Sequence, residues 1–188
     1  GSRNEEKALA AVAELQLQHS VSLEGMDNES AVKVCDIAAI TVPYAAHRPT
    51  LEALKPQLQG KILVDVTVPL VPPKVTRVSM PSEGSAAQEA QAILGAETKV
   101  VAAFQNISHE RLMNDEDVDC DVLVCGSGKE ARQVVLGLVR DVGLKGWDAG
   151  VIENAVVVEG LTSVLIGLNI QHKVHASGIR ITGIDTAD

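Results

Sequence analysis

Asp36 to Tyr44 reads Asp-Ile-Ala-Ala-Ile-Thr-Val-Pro-Tyr. A continuous apolar run of this length, stopped by proline, marks a parallel strand buried on both faces, because such a strand has no solvent side to impose alternation. In an open α/β sheet, ligands sit in the crevice beyond the carboxyl ends of such strands. The run therefore places a candidate site just past Thr41, at Pro43 and Tyr44. Similar runs at 61–67, 99–104 and 121–125, with a further one at 144–148, predict the rest of a sheet. Helical patterns at 4–18, 28–34, 86–94 and 129–142 lie between them. A helix starting near Arg48 or Pro49 fits the stretch before Gly60, since proline is tolerated in a first turn. The β and α alternation predicts a parallel sheet with helices on both sides.

The remaining segments are less regular. Residues 21–24 read as a short strand, and 68–83, rich in proline, as a long loop of the kind that often serves function. After Gly150 the texture changes. Residues 151–171 form one apolar helical pattern that calls for burial on more than one side. A partner subunit would supply it, so a homodimer is expected. The tail carries a possible strand at 179–182. The division is then 1–150 for the sheet domain and 151–188 for a small C-terminal region.

Composition narrows the function. Tyr44, Phe104 and Trp147 are the only aromatic residues, which argues against base-stacking nucleic-acid binders. A net charge of −9, with no cluster of Lys and Arg, makes nucleic acid or anionic membrane a poor partner. An anion must instead be held locally, by a few bases and backbone N–H groups. Cys35, Cys120 and Cys125 are odd in number, lack metal-ligand spacing and lie in apolar runs, so they read as buried free thiols in a reducing cytoplasm. No signal peptide and no apolar run long enough to span a bilayer are read from the sequence.

The chain has no Gly-x-Gly-x-x-Gly fingerprint. Gly126-Ser127-Gly128 is a lone Gly-x-Gly and reads as a turn. Ser2, Arg3 and Lys7 would make a good set for a phosphate; a cloning remnant and a solvated helix start is the other reading. His47, His109, His172 and His175 are scattered and read as surface residues rather than metal ligands; for His109, after the Gln105-Asn106 strand end, an approach to a ligand is the other reading. Asp65 lies inside a buried run, either beside a cofactor or hydrogen-bonded structurally. Glu153, Asn154 and Glu159 read as the solvated or subunit-facing edge of the long helix. Serines without a nucleophile elbow exclude hydrolysis.

Gly1-Ser-Arg with Lys7, Cys35 to Tyr44, Val66-Thr-Val-Pro-Leu70, Gly84-Ser-Ala-Ala-Gln-Glu, Val100-Val-Ala-Ala-Phe-Gln-Asn106, Asp121-Val-Leu-Val-Cys-Gly126, Asp148-Ala-Gly150 and Gly178-Ile-Arg-Ile-Thr-Gly183 occur in order along the chain. In this order they resemble the NADPH-dependent reductases of the deazaflavin coenzyme F-420 (F-420:NADP oxidoreductases). The resemblance implies a Rossmann-like, doubly wound, mostly parallel α/β sheet, here without its N-terminal glycine-rich βα unit, and a C-terminal region for dimerisation and deazaflavin binding. It implies hydride transfer between NADP(H) and coenzyme F-420, with no catalytic side chain. Ser2, Arg3 and Lys7 would hold the NADP 2′-phosphate. Thr41, Val42, Pro43 and Tyr44 would line the ribose and nicotinamide side. Val68, Pro69, Leu70, Ala103, Phe104, Gln105 and Asn106 would form the floor where the cofactors meet, and Gly178 and Ile179 would help shape the deazaflavin pocket. Gln105 stands where some relatives carry His, so a hydrogen-bonding role alone is assigned to it. The competing readings are another Rossmann reductase, such as a pyrroline-carboxylate-reductase-like or ferric-reductase-like enzyme, and an inactive dimerisation fragment.

Overall fold

Apolar runs flanked by helical patterns become five short strands in the computed structural model, which describes residues 1–113 and 118–184. They are β1 (Ile37–Ile40), β2 (Ile62–Asp65), β3 (Lys99–Ala102), β4 (Asp121–Gly126) and β5 (Lys145–Gly150), side by side in chain order. Before them come α1 (Glu5–Gln18) and α2 (Asn28–Val34). Strands β1, β2 and β3 are parallel, with Ile37 opposite Ile62 and Ile62 opposite Lys99. Helix α3 (Tyr44–Leu58) connects β1 to β2, and α4 (Ala86–Leu94) connects β2 to β3. Side chains alternate between the two faces. Leu63, Val100 and Ala102 therefore pack with Leu51, Leu58, Ala87, Ala90 and Leu94 of those helices. Val64, Val101 and Ala103 face the other way, onto Ala131, Val135 and Val139 of α6 (Lys129–Asp141).

Strand β4 is antiparallel to β3 and parallel to β5, so the sheet is mostly parallel where simple alternation predicted a uniform one. A parallel neighbour needs a crossover of roughly a dozen residues or more, usually a helix packed on the sheet. The helix described between β3 and β4 is the five-residue α5 (His109–Met113), and the chain turns back instead. Gly126 makes the close approach possible, since a Cβ there would stand 2.5 Å from the Val100 carbonyl oxygen and 2.7 Å from Val101 Cα. The Ser127 hydroxyl accepts the Val100 N–H at 3.0 Å. Gly126-Ser127-Gly128 is thus a strand-pairing turn.

Helix ends follow local chemistry. Asp27 caps α2 by accepting the Ser30 N–H at 3.0 Å, and Ser85 caps α4 by accepting the Gln88 N–H at 3.1 Å. Gly95, at φ 84°, closes α4. Three expectations fail. Residues 21–24 form no strand. Helix α3 begins at Tyr44, and Pro49 and Pro56 sit inside it. Burial of His47, Leu51 and Leu58 holds that helix despite the N–H groups the prolines lack. Residues 179–182 form no strand either. Asp121 instead donates its N–H to the Ile179 carbonyl at 2.8 Å, and its carboxylate accepts the Ile181 N–H at 2.8 Å. A side chain takes the place of a second ladder bond. The three cysteines are free, with Cys120 and Cys125 buried and Cys35 half-buried.

Helix α7 (Ala155–His172) follows a 3-10 turn, Ile152–Asn154. Ala155, Val158, Ser163 and Leu165 are buried, while Val157 and Ile170 are each 66% exposed. Segment Ile152–His172 is long and apolar enough to cross a membrane by length and composition, which corrects the reading that no such run exists. Its inner face is not apolar, however. Glu159 is fully buried and accepts the Ala86 and Ala87 N–H groups at 2.7 and 3.0 Å. The expectation that Glu159 lies on a solvated or subunit-facing edge is overturned. It satisfies orphan donors at the start of α4, where the helix dipole also favours an acid.

Burial pushes the Glu159 carboxyl up to about 7, against the two N–H donors, which lower it. A folded-state value above the unfolded one means the folded protein holds the proton longer. Stability should therefore fall as pH rises from about 4.5 to 7 and level off above. Urea unfolding across this range should show that slope in the wild type and lose it in Glu159→Gln. Glu159→Ala, which orphans both donors, should cost about 2–4 kcal/mol. Gly126→Ala should cost about 1–3 kcal/mol by forcing β3 and β4 apart, read from the same unfolding curves.

Candidate active site

Because β1, β2 and β3 are parallel, their carboxyl ends emerge along one sheet edge. Antiparallel β4 brings its first residue, Asp121, to that same edge. Four of the segments singled out in the sequence converge there. Thr41 to Tyr44 leave β1, residues 66–70 leave β2, residues 103–106 leave β3, and the 178–181 tail is tied to Asp121.

The segment after β3 is shaped by Phe104, whose φ of 71° is unusual for a residue with a side chain. Such a conformation costs on the order of 1–3 kcal/mol and persists only where the surroundings fix it. Here the kink sends the next two side chains to opposite neighbours. Gln105 donates Nε2 to the Asp65 carbonyl at the end of β2, 2.7 Å away. Asn106 donates Nδ2 to the Asp121 carbonyl of β4 at 3.0 Å. The Thr162 hydroxyl of α7 donates to the Gln105 carbonyl at 2.8 Å. Gln105 and Asn106 are buried, and one acceptor on each, Oε1 and Oδ1, has no hydrogen-bond partner. Asn106 also lies 3.5 Å from Cys120 Sγ, which accepts the Ile179 N–H at 3.3 Å. The tail at Gly178 and Ile179 thus joins the floor through Cys120.

The other expected residues divide by position. Ala103 and Pro69 are buried, Phe104, Val68 and Leu70 half-buried, and Thr41 and Pro43 exposed beside half-buried Val42 and Tyr44. Ser2, Arg3 and Lys7 stand apart from the floor. Ser2 is held against the start of α2, its N–H donating to the Met26 carbonyl and its carbonyl accepting the Asn28 N–H. Arg3 and Lys7 are exposed, and among the described residues neither is ion-paired. The two regions approach at β1, where Gly1 borders the same cleft as Ile40, Thr41 and Val42. Of the residues at the start of the chain, Gly1 borders that cleft, whereas Ser2, Arg3 and Lys7 do not line it.

Behind the floor lies a charged cluster that the sequence reading missed. His47 is completely buried on α3, which overturns its assignment to the surface. Its Nε2 lies 2.8 Å from Asp65 Oδ2 and its Nδ1 3.5 Å from Glu89 Oε1. Tyr44 donates its hydroxyl to Glu89 Oε2 at 2.9 Å, and burial together with this carboxylate pushes the phenol up to about 12. Asp65 Oδ1 accepts the Thr67 N–H at 2.9 Å. The signal available in the sequence was Asp65 at the end of an apolar run; nothing local paired it with His47, 18 residues away. Among the described residues no group of His, Cys, Asp and Glu has a metal-holding arrangement.

Comparisons with known proteins agree with this arrangement. Residues 1–69 match the family "NADP oxidoreductase coenzyme F420-dependent". Over 98% of its length the chain is 40% identical to the F420-dependent NADP reductase of Methanocaldococcus jannaschii, covering 87% of that protein. It is 38% identical to that of Methanothermobacter thermautotrophicus, over 98% of this chain and 83% of the relative. A crystal structure from Arthrobacter sp. fb24, provisionally assigned as an F420-dependent NADP reductase, superposes with a TM-score of 0.82 at 22% identity. It spans 97% of this chain and 87% of that one, and shows the shared Rossmann-like fold. With the sheet edge, the floor beyond β3 and the similarity over nearly the whole chain in agreement, this chain belongs to the family of F420-dependent NADP reductases.

Proposed function

We propose that the protein is an oxidoreductase that transfers a hydride between NADP(H) and the deazaflavin coenzyme F420. The observation that carries the reading is 40% identity to a reductase of that name across 98% of the chain. The geometry supports it through a shared sheet edge with a buried floor and, at the start of the chain, the exposed cations Arg3 and Lys7.

The reaction itself is ring chemistry that the two coenzymes supply, a hydride passing between nicotinamide C4 and deazaflavin C5. The chain aligns the rings and keeps water away. In this proposal Ser2, Arg3 and Lys7 hold the 2′-phosphate, as exposed cations on a helix start can. Thr41, Val42, Pro43 and Tyr44 line the ribose and nicotinamide side. Val68, Pro69, Leu70, Ala103, Phe104, Gln105 and Asn106 build the floor, some in contact with the rings and some, like buried Ala103, from beneath. Gly178 and Ile179 shape the deazaflavin side. Residues 1–150 are then the nucleotide domain and 151–188 the region for deazaflavin and subunit contacts.

The exposed valines of α7, Val156, Val157 and Val164, support a homodimer in which a second copy covers them. A cytoplasmic, soluble protein fits its free cysteines and the buried Glu159 on the span-length helix found among the described residues. The pyrroline-carboxylate-reductase reading keeps only a fold-level likeness. The Plasmodium falciparum enzyme superposes with a TM-score of 0.52 at 16% identity, over 82% of this chain and 53% of that one.

The test is reduction of the deazaflavin by NADPH, followed by its absorbance. Arg3→Ala should raise KM for NADPH by about tenfold or more and leave NADH use little changed, because only the phosphate contact is lost. Equal use of NADH and NADPH by the wild type would contradict the phosphate role of Ser2, Arg3 and Lys7.

A further inference from the structure

We propose that His47 is a positioning residue for hydride transfer, a buried cation that holds Asp65 and Glu89 together and thereby fixes the floor at Thr67 and Gln105. The inference rests on the function proposed above.

His47 and Asp65 are fully buried, and Glu89 is 4% exposed. The imidazole faces a carboxylate on each side, Asp65 from Nε2 and Glu89 from Nδ1. A neutral imidazole has one N–H, so one of its nitrogens would turn a lone pair toward a carboxylate. A doubly protonated ring hydrogen-bonds Asp65 through Nε2 and meets Glu89 by charge across 3.5 Å from Nδ1, which has no hydrogen-bond partner of its own. Burial by itself lowers the imidazole's affinity for its proton, but the hydrogen bond and charge of Asp65, with those of Glu89, outweigh it and raise the value above that of an ordinary histidine. The other charged or titratable groups that reach this cluster come from α3, the loop before α4, and α7. Tyr44 donates to Glu89, Arg48 stands 3.6 Å from Glu89 and 3.0 Å from Glu83, and Glu159 of α7 senses both Asp65 and His47.

The line leads to the floor through Asp65. One carboxylate oxygen takes His47 and the other the Thr67 N–H, while the carbonyl of the same residue takes Gln105. Loss of the imidazole's charge leaves buried Asp65 with no cation beside it among the described ion pairs, whereas Glu89 keeps the Tyr44 hydroxyl and Arg48. Asp65 must then move or find water, and Thr67 and Gln105 move with it. Hydride transfer is sensitive to displacements of about 1 Å in the reacting groups. The NADP phosphate end, at Arg3, has no link to this cluster among the described hydrogen bonds.

The experiment has two parts. In steady-state kinetics from pH 6 to 9, His47→Gln, which keeps a donor but no charge, should lower kcat by about tenfold or more and alter KM for NADPH by less than about threefold. The wild type should lose kcat on the alkaline side, and that limb should be absent in His47→Gln. The double variant His47→Gln with Asp65→Asn should recover kcat about threefold or more over the single, because the uncompensated carboxylate is gone. A kcat unchanged within twofold, a matching rise in KM, or no recovery in the double variant would overturn the role. The second part needs only the wild type and no turnover. The His47 ring, observed by nitrogen NMR, should titrate above the ordinary value of about 6.5. Absence of hydride transfer by the wild type overturns the function and the positioning role with it; transfer with a His47 titration at or below the ordinary value overturns the positioning role alone.

Discussion

Asp65 is the residue on which the site's geometry depends. It ends β2, is fully buried, and uses three oxygens for three different tasks. Its carboxylate meets His47 of α3 and the Thr67 backbone, and its carbonyl meets Gln105 beyond β3. A buried carboxylate of this kind is tolerable only when every oxygen is satisfied. The demand runs outward. It requires His47 to point inward from α3, which explains a helix continuous through Pro49, and it requires Gln105 to turn back, which the positive φ of Phe104 provides.

A second buried carboxylate, Glu159, works from the opposite side. It ties α7 to the first turn of α4, the helix that also supplies Glu89 to the His47 cluster. Helix α7 in turn holds the Gln105 carbonyl through Thr162. The floor is thereby clamped between β2 and α7, and a catalytic side chain is unnecessary when two coenzymes carry the chemistry. Charge is concentrated beneath the floor, in the His47 cluster, and the floor residues above it are apolar or amide.

Much of the fold was legible from the residues. Apolar runs located all five strands, and helical patterns located α2 and α4, because periodicity and double-sided burial are local effects. The turn at Gly126 was legible for the same reason. What was missed depends on long-range pairing. His47 looked like a surface histidine because the acids that bury it come from β2 and α4. Glu159 looked solvated because its partners, the Ala86 and Ala87 N–H groups, lie more than 70 residues earlier. The direction of β4 and the fate of residues 179–182 were decided by Gly126 and Asp121, neither of which signals pairing direction by itself. At the proposed site, Gln105 and Asn106 were singled out through the family resemblance, whereas the buried network beneath them was not.

The central claim is that this protein aligns two coenzymes for direct hydride transfer over a floor closed to water. Following deuterium from carbon 4 of the nicotinamide tests it most directly. With NADPH labelled on the transferred face and the deazaflavin as acceptor, mass spectrometry of the reduced deazaflavin should show the label at carbon 5, with none released to solvent. Label recovered in water, with an unlabelled reduced coenzyme, would contradict the account.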